Sequence, residues 1–167
     1  MTSNHDAKGA FSQKGFTLLE VLISLVILAV GLLGLAGLQS VSVINNHGAL
    51  LRSEASLLSY DILDRMRANR EQAVTTSRYV SGFDDAASGY ANCTACAPAA
   101  LVDHDLNQWK TDVGNQLPGG EAEIAREALP SGVIYVVTLR WDETVFDEND
   151  AKLRKKSKAQ LQLRSEI

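Results

Sequence analysis

Two cysteines, Cys93 and Cys96, form a C-x-x-C motif and are the residues with the clearest potential for chemistry. Such a pair can form a local disulfide, act as a dithiol redox site or supply half of a metal site. Only His104 follows nearby, and no second C-x-x-C or histidine pair completes a zinc site. A thioredoxin-like site needs a βαβ pattern around the pair, which this sequence lacks. A disulfide is favoured if the cysteines lie in an oxidising compartment.

The other polar residues form no recognisable catalytic group. His5, His47 and His104 are scattered, and no Ser/His/Asp, paired-acid or phosphate-loop arrangement occurs. The carboxylate-rich run from Asp142 to Asp150 lacks the glycine and spacing of an EF-hand loop, so it predicts a solvated hairpin. The net charge of -4 gives no reason to expect nucleic-acid binding. We expect a non-enzymatic protein with no cofactor, no metal and no nucleic-acid partner.

A long apolar segment follows a short polar N-terminus. Residues 1–15 include Lys8 and Lys14, whereas residues 16–38 are nearly all Leu, Val, Ile, Ala and Gly. As a helix, roughly 23 residues span about 35 Å, which is enough for a bilayer core. Lysines before this segment, with few positive charges just after it, predict a cytoplasmic N-terminus and a periplasmic remainder. An oxidising periplasm in turn favours the disulfide.

Glu20 is the one charged residue in the apolar segment, close to its start. An ionised carboxylate there is costly unless it reaches the membrane interface or meets a positive charge. Both explanations are compatible with its position.

The heptapeptide KGFTLLE, residues 14–20, resembles the prepilin signature of type IV pilins and type II secretion pseudopilins. The resemblance implies cleavage between Gly15 and Phe16 by prepilin peptidase and N-methylation of Phe16. A glycine before the scissile bond suits a protease because no side chain obstructs the backbone. The resemblance also implies that Glu20 pairs with the Phe16 amine of a neighbouring subunit, which offsets part of the desolvation of both charges and sets the assembly register.

Two periodicities predict the secondary structure. Helical spacing of apolar residues continues beyond the membrane segment, so one helix is predicted from about Phe16 to about Asn69. Alternation predicts strands over residues 133–141 and 159–167, with 121–126 as a weaker third. A small antiparallel sheet covering the apolar helix stripe gives an α+β fold. The stripe consists of Leu51, Ala55, Leu58, Ile62 and Met66.

The segments between these elements carry further signals. Residues 71–89 are polar and predict an irregular connection, and a short amphipathic helix is predicted to end before Pro118. Trp109 is interpreted as a core anchor on that helix. The basic residues from Lys152 to Lys158 predict a charged strand edge that discourages unwanted pairing.

Three motifs of the head resemble the PilV-type minor pilins, also called type IV pilus modification proteins. They are the C-x-x-C, the Asp-Leu-x-x-Trp ending at Trp109 and the Leu-Pro-Gly-Gly ending at Gly120; the membrane segment LLEVLISLVILAVGLLG, residues 18–34, adds to them. The resemblance implies the type IV pilin fold, with a leader over 1–15, a transmembrane helix over 16–38, its amphipathic continuation over 39–70 and a periplasmic head over 71–167. The implied partners are prepilin peptidase, other minor pilins, the major pilin and the pilus assembly machinery of the bacterial inner membrane.

Three functions fit this sequence. The middle-head motifs favour a minor pilin that initiates or caps a type IV pilus, and the lack of a cysteine beyond Cys96 argues against the major subunit. A type II secretion pseudopilin shares the prepilin signature. An adhesive or ligand-binding head at the pilus tip is compatible with the first function, because a disulfide-pinned loop could be exposed there.

Overall fold

The computed structural model describes residues 15–85, 93, 95–130, 132–147 and 150–167. Helix α1 covers Leu18–Ala68, α2 Arg70–Thr75 and α3 Pro98–Gln116; strand β1 covers Glu121–Leu129, β2 Gly132–Asp147 and β3 Asp150–Glu166. The chain divides into two compact units, Met1–Ser42 and Val43–Ile167. The α+β fold with a long N-terminal helix is confirmed, and α1 begins and ends within two residues of its predicted limits. Most of the predicted leader, residues 1–14, lies outside the described residues.

In the first unit, the described chain is the apolar beginning of α1. Its side chains are exposed, and α1 is long and apolar enough to cross a membrane. The helix is continuous through Gly31, Gly34 and Gly37, and a Cβ at any of these positions would meet no atom within 4 Å.

In the second unit, the predicted helix stripe and the sheet share one hydrophobic core. Residues three and four apart lie on the same side of a helix, so the stripe presents a continuous apolar surface. Along β2, alternate residues point to the same side of the sheet. The stripe residues are all at most 5% exposed, as are Tyr135, Val137, Leu139 and Trp141 of β2.

The three strands form an antiparallel sheet in the order β1-β2-β3. Strands β2 and β3 extend further than predicted, up to Asp147 and Asp150. A hairpin lies at residues 142–150 as predicted, with 142–147 in β2, but it is not solvated throughout because Glu143 is only 9% exposed. Asp142 lies opposite Lys158 in the register, and opposite charges on facing strands favour pairing.

The connection between α1 and β1 contains two helices. The segment predicted to be irregular begins with the short helix α2, whereas α3 ends at Gln116, before Pro118, as predicted. Proline occupies the start of α3, where its missing N–H costs no hydrogen bond. Gly119 follows with φ 57°, a left-handed conformation that favours glycine, and turns the chain into β1.

Two buried tryptophans differ in their hydrogen bonding. Trp109 is fully buried and its Nε1 donates to the carbonyl oxygen of Leu58 at 2.8 Å, which ties α3 to α1. Trp141 is 1% exposed, and its Nε1 has no hydrogen-bond partner within the described part of the chain.

We expect Trp109→Phe to lower the free energy of unfolding by about 1 kcal/mol more than Trp141→Phe, because only the first loses a hydrogen bond. The two substitutions remove similar apolar areas, so each is the control for the other. Denaturant unfolding of the full chain in detergent, followed by circular dichroism, measures the difference. Equal costs for the two variants would contradict this expectation.

Candidate functional site

Thr17 directly precedes α1 and is its N-cap residue. Its carbonyl oxygen and its Oγ1 both accept a hydrogen bond from the Glu20 backbone N–H, at 3.1 and 3.2 Å. The sequence Thr-x-x-Glu at a helix start is the spacing of a capping box, in which the threonine satisfies an otherwise unpaired N–H. Sequence reasoning overlooked Thr17, although this spacing was visible. Thr17 therefore fixes where the helix begins and places Glu20 in its first turn.

Glu20 is exposed in the first turn of α1, together with its apolar neighbours Leu19 and Ile23. Partial positive charge from the free N–H groups at a helix start stabilises a carboxylate there. The helix end thus lowers the cost of a charged residue at the edge of the apolar segment. Because the side chain remains exposed, Glu20 can also meet a positive charge on another chain.

Gly15 and Phe16 precede the helix and are both exposed, Phe16 by 83%. A Cβ at Gly15 would meet no atom within 4 Å, and Gly15 does not have a positive φ. Neither packing nor backbone conformation within the described chain requires glycine at this position.

Residues 11–36 match the family model described as the prokaryotic N-terminal methylation motif. The chain has a type IV prepilin-like N-terminus. The match contains Gly15, Phe16 and Glu20, and it implies processing by prepilin peptidase and assembly into pilus-type machinery. Together with the apolar start of α1, the motif is consistent with membrane anchoring. No curated protein and no solved structure matches the chain.

The cysteines of this prepilin-like chain lie in the second unit, away in sequence from the N-terminal site. Cys93 and Cys96 form a disulfide with a Cα–Cα distance of 5.6 Å, directly before α3. Both residues are half-buried. Among the residues that the structure describes, no group of three His, Cys, Asp or Glu side chains is placed to hold a metal ion.

A polar network centred on the buried Asp105 links α3 to α1. Asp105 is 5% exposed and accepts a hydrogen bond from the Tyr79 hydroxyl at 2.9 Å. On its other oxygen, Asp105 faces Arg65 Nη1 at 3.5 Å, and Arg65 also pairs with Asp61 at 2.9 Å and with Gln108 at 2.9 Å. Asp61 and Arg65 have the i,i+4 spacing of an ion pair on a helix. The role of Asp105 was not predicted, because its partners are distant in sequence.

We expect Tyr79→Phe to lower the free energy of unfolding by about 1–3 kcal/mol at pH 7, because a buried carboxylate loses a donor. The matched control is Tyr60→Phe, since Tyr60 is 53% exposed on α1. Denaturant unfolding of the full chain in detergent measures both. Equal effects of the two substitutions would exclude a special contribution of Tyr79.

The buried hydroxyl of Tyr79 should make the free energy of unfolding depend on pH. Burial, followed by the hydrogen bond to Asp105, raises the pKa of Tyr79 above its usual value of 10.0. The folded chain therefore keeps this proton where the unfolded chain releases it, so the stabilisation is complete below pH 10 and is lost as the pH rises further. Tyr79→Phe should reduce this loss of stability at alkaline pH. Part of the loss should remain, because burial also raises the pKa of Tyr135.

An exposed apolar stripe runs along the second-unit part of α1. We call it the outer stripe; its members, each more than half exposed, are Val43, Leu50, Leu57 and Tyr60. At 100° per residue the outer stripe lies on the side of α1 opposite to the buried stripe. Sequence reasoning missed it because the buried stripe was the stronger pattern, although the seven-residue spacing of Val43, Leu50 and Leu57 was a signal.

Proposed function

We propose that this chain is a PilV-type minor pilin that helps to initiate or cap a type IV pilus. In this proposal, prepilin peptidase removes residues 1–15, Phe16 is N-methylated, and residues 16–38 anchor the chain in the bacterial inner membrane. The amphipathic part over 39–70 leads to a periplasmic head over 71–167, which enters the pilus with other minor pilins and the major pilin. The role is structural and non-enzymatic.

The observation that carries the proposal is the methylation motif at residues 11–36, with Glu20 in the exposed first turn of α1. In a filament, the Phe16 amine of one subunit and the Glu20 carboxylate of another are of opposite charge. In apolar surroundings, such a pair offsets part of the desolvation of both groups. The partial positive charge at the helix start also stabilises this carboxylate.

The outer stripe also favours assembly. Large apolar side chains exposed on a helix outside the membrane are more stable when another surface covers them. Val43, Leu50 and Leu57 repeat every seven residues, a spacing typical of helices that pack side by side. The outer stripe is therefore suited to packing against the helices of neighbouring subunits.

The head motifs that favour a PilV-type protein have structural roles in this chain. Asp105 and Trp109, the ends of the Asp-Leu-x-x-Trp motif, attach α3 to Tyr79 and to Leu58 of α1, respectively. Gly119, in the Leu-Pro-Gly-Gly motif, has the left-handed conformation that leads into β1. The motifs thus determine how the central helix and the sheet are joined, which supports a shared head architecture.

Mass spectrometry of sheared pili tests this proposal. We expect a peptide that begins at methylated Phe16, and we expect deletion of the gene to reduce surface pili and twitching motility. Restoration of both by the intact gene is the control. Lost exoprotein secretion with normal pili would instead identify a type II secretion pseudopilin and overturn the minor pilin role.

A further inference from the structure

Strand β3 forms an edge of the sheet. In the order β1-β2-β3, β3 pairs with β2, and its outer side has no strand partner within the described residues. The opposite edge is partly covered, because Ser81 and Ile124 exchange backbone hydrogen bonds of 3.0 and 2.7 Å beside β1. Unpaired backbone groups along an edge strand are a template for pairing with another extended chain.

The apolar layer is less well covered at β3 than at β2. In the register, three half-buried residues of β3 lie opposite three β2 residues that are at most 1% exposed. A further strand beside β3 would extend the apolar layer and bury more of these side chains. The pairs are Ala159 with Trp141, Leu161 with Leu139, and Leu163 with Val137.

Two basic residues of β3 that could repel an added strand form ion pairs with carboxylates of β1 and β2. Lys158 Nζ lies 3.1 Å from Glu121 Oε1 and 3.4 Å from Asp142 Oδ1. Arg164 pairs with Glu127 of β1 in the same way. Charged side chains, lysine above all, usually protect an edge strand from pairing. Here the two cations are neutralised on their own sheet, and the edge between them carries uncharged side chains.

One end of this edge is strongly basic. The sequence from Ala151 to Ser165 contains six Lys or Arg and no Asp or Glu, and five of the six lie between Lys152 and Lys158. Lys156 is exposed on β3. Carboxylates on an added strand beside Lys156 would complement this charge. The charge pattern therefore favours an acidic partner segment.

We propose that the outer edge of β3, from Ala159 to Leu163, binds an extended segment of a different protein by strand addition. The segment alternates apolar and uncharged polar residues and carries carboxylates at the end beside Lys156. Its backbone completes the hydrogen bonding of β3, its apolar side chains continue the core layer, and its carboxylates select it by charge. The proposal does not depend on the minor pilin role.

Binding of a labelled peptide to the full chain in detergent tests strand addition. The probe is a peptide of alternating Val and Thr, flanked at both ends by Glu; the controls are the same peptide flanked by Lys and a form with an N-methylated backbone. We expect the Glu-flanked peptide to bind and to slow amide hydrogen exchange at residues 159–163. Because N-methylation removes several hydrogen bonds, it should weaken binding by about tenfold or more.

The variant Lys156→Glu separates charge selection from backbone pairing. Lys156 is exposed, so the substitution leaves the core unchanged. We expect it to weaken binding of the Glu-flanked peptide by about two- to fivefold and to strengthen that of the Lys-flanked peptide by a similar factor. The proposal is overturned if no binding occurs at about 1 mM peptide, if the N-methylated peptide binds equally well, or if residues 159–163 are already protected in a dimer of this chain.

Discussion

Replacing Glu20 by Gln should leave membrane insertion and cleavage intact but remove the chain from pili. The substitution keeps the size of the side chain and a polar end, while the charge that would face the Phe16 amine of a neighbour is lost. Removing one partner of a buried ion pair costs about 3 kcal/mol or more, so incorporation should fall by a factor of about 100. Immunoblots of sheared pili and of inner membranes measure the ratio of chain incorporated in pili to chain that remains in the membrane.

Two controls separate this effect from a weaker helix. Loss of the charge near a helix start costs only about 0.3–1 kcal/mol, and Thr17 still caps α1 in the variant. Thr17→Val removes the capping hydroxyl and keeps the carboxylate, so it should reduce incorporation far less than Glu20→Gln. Glu20→Asp keeps the charge and should recover part of the incorporation. Normal pilus incorporation of Glu20→Gln would refute the pairing.

The long helix and the core were predictable because their signals are local and repeated. The buried stripe of α1 recurs at helical spacing, and the alternation along β2 and β3 marks the residues that cover it. Burial at five of five stripe positions follows from geometry that the sequence contains. The prepilin signature was equally readable, because it is a contiguous segment at the edge of the apolar run.

The parts that were not predicted depend on contacts between distant residues. Asp105 is 40 residues from Arg65 and 26 from Tyr79, and no local pattern links them. The β2–β3 hairpin extends beyond its hydrophobic alternation, and in this extension Asp142 lies opposite Lys158. A run of charge usually indicates solvent exposure, and only the register between two strands turns it into paired structure.

Replacing Gly15 by Leu should block removal of the leader. The described chain does not require glycine at position 15, since a Cβ there would meet no atom within 4 Å and φ is not positive. We therefore attribute a requirement for glycine to the peptidase, whose access to the backbone a leucine side chain would obstruct. The intact mass of the membrane-extracted chain should show that residues 1–15 are retained.

Gly31→Leu is the matched control, because Gly31 has equally open surroundings and lies within the apolar segment. It should be processed normally, whereas cleavage of Gly15→Leu between residues 15 and 16 would contradict the assignment of the cut.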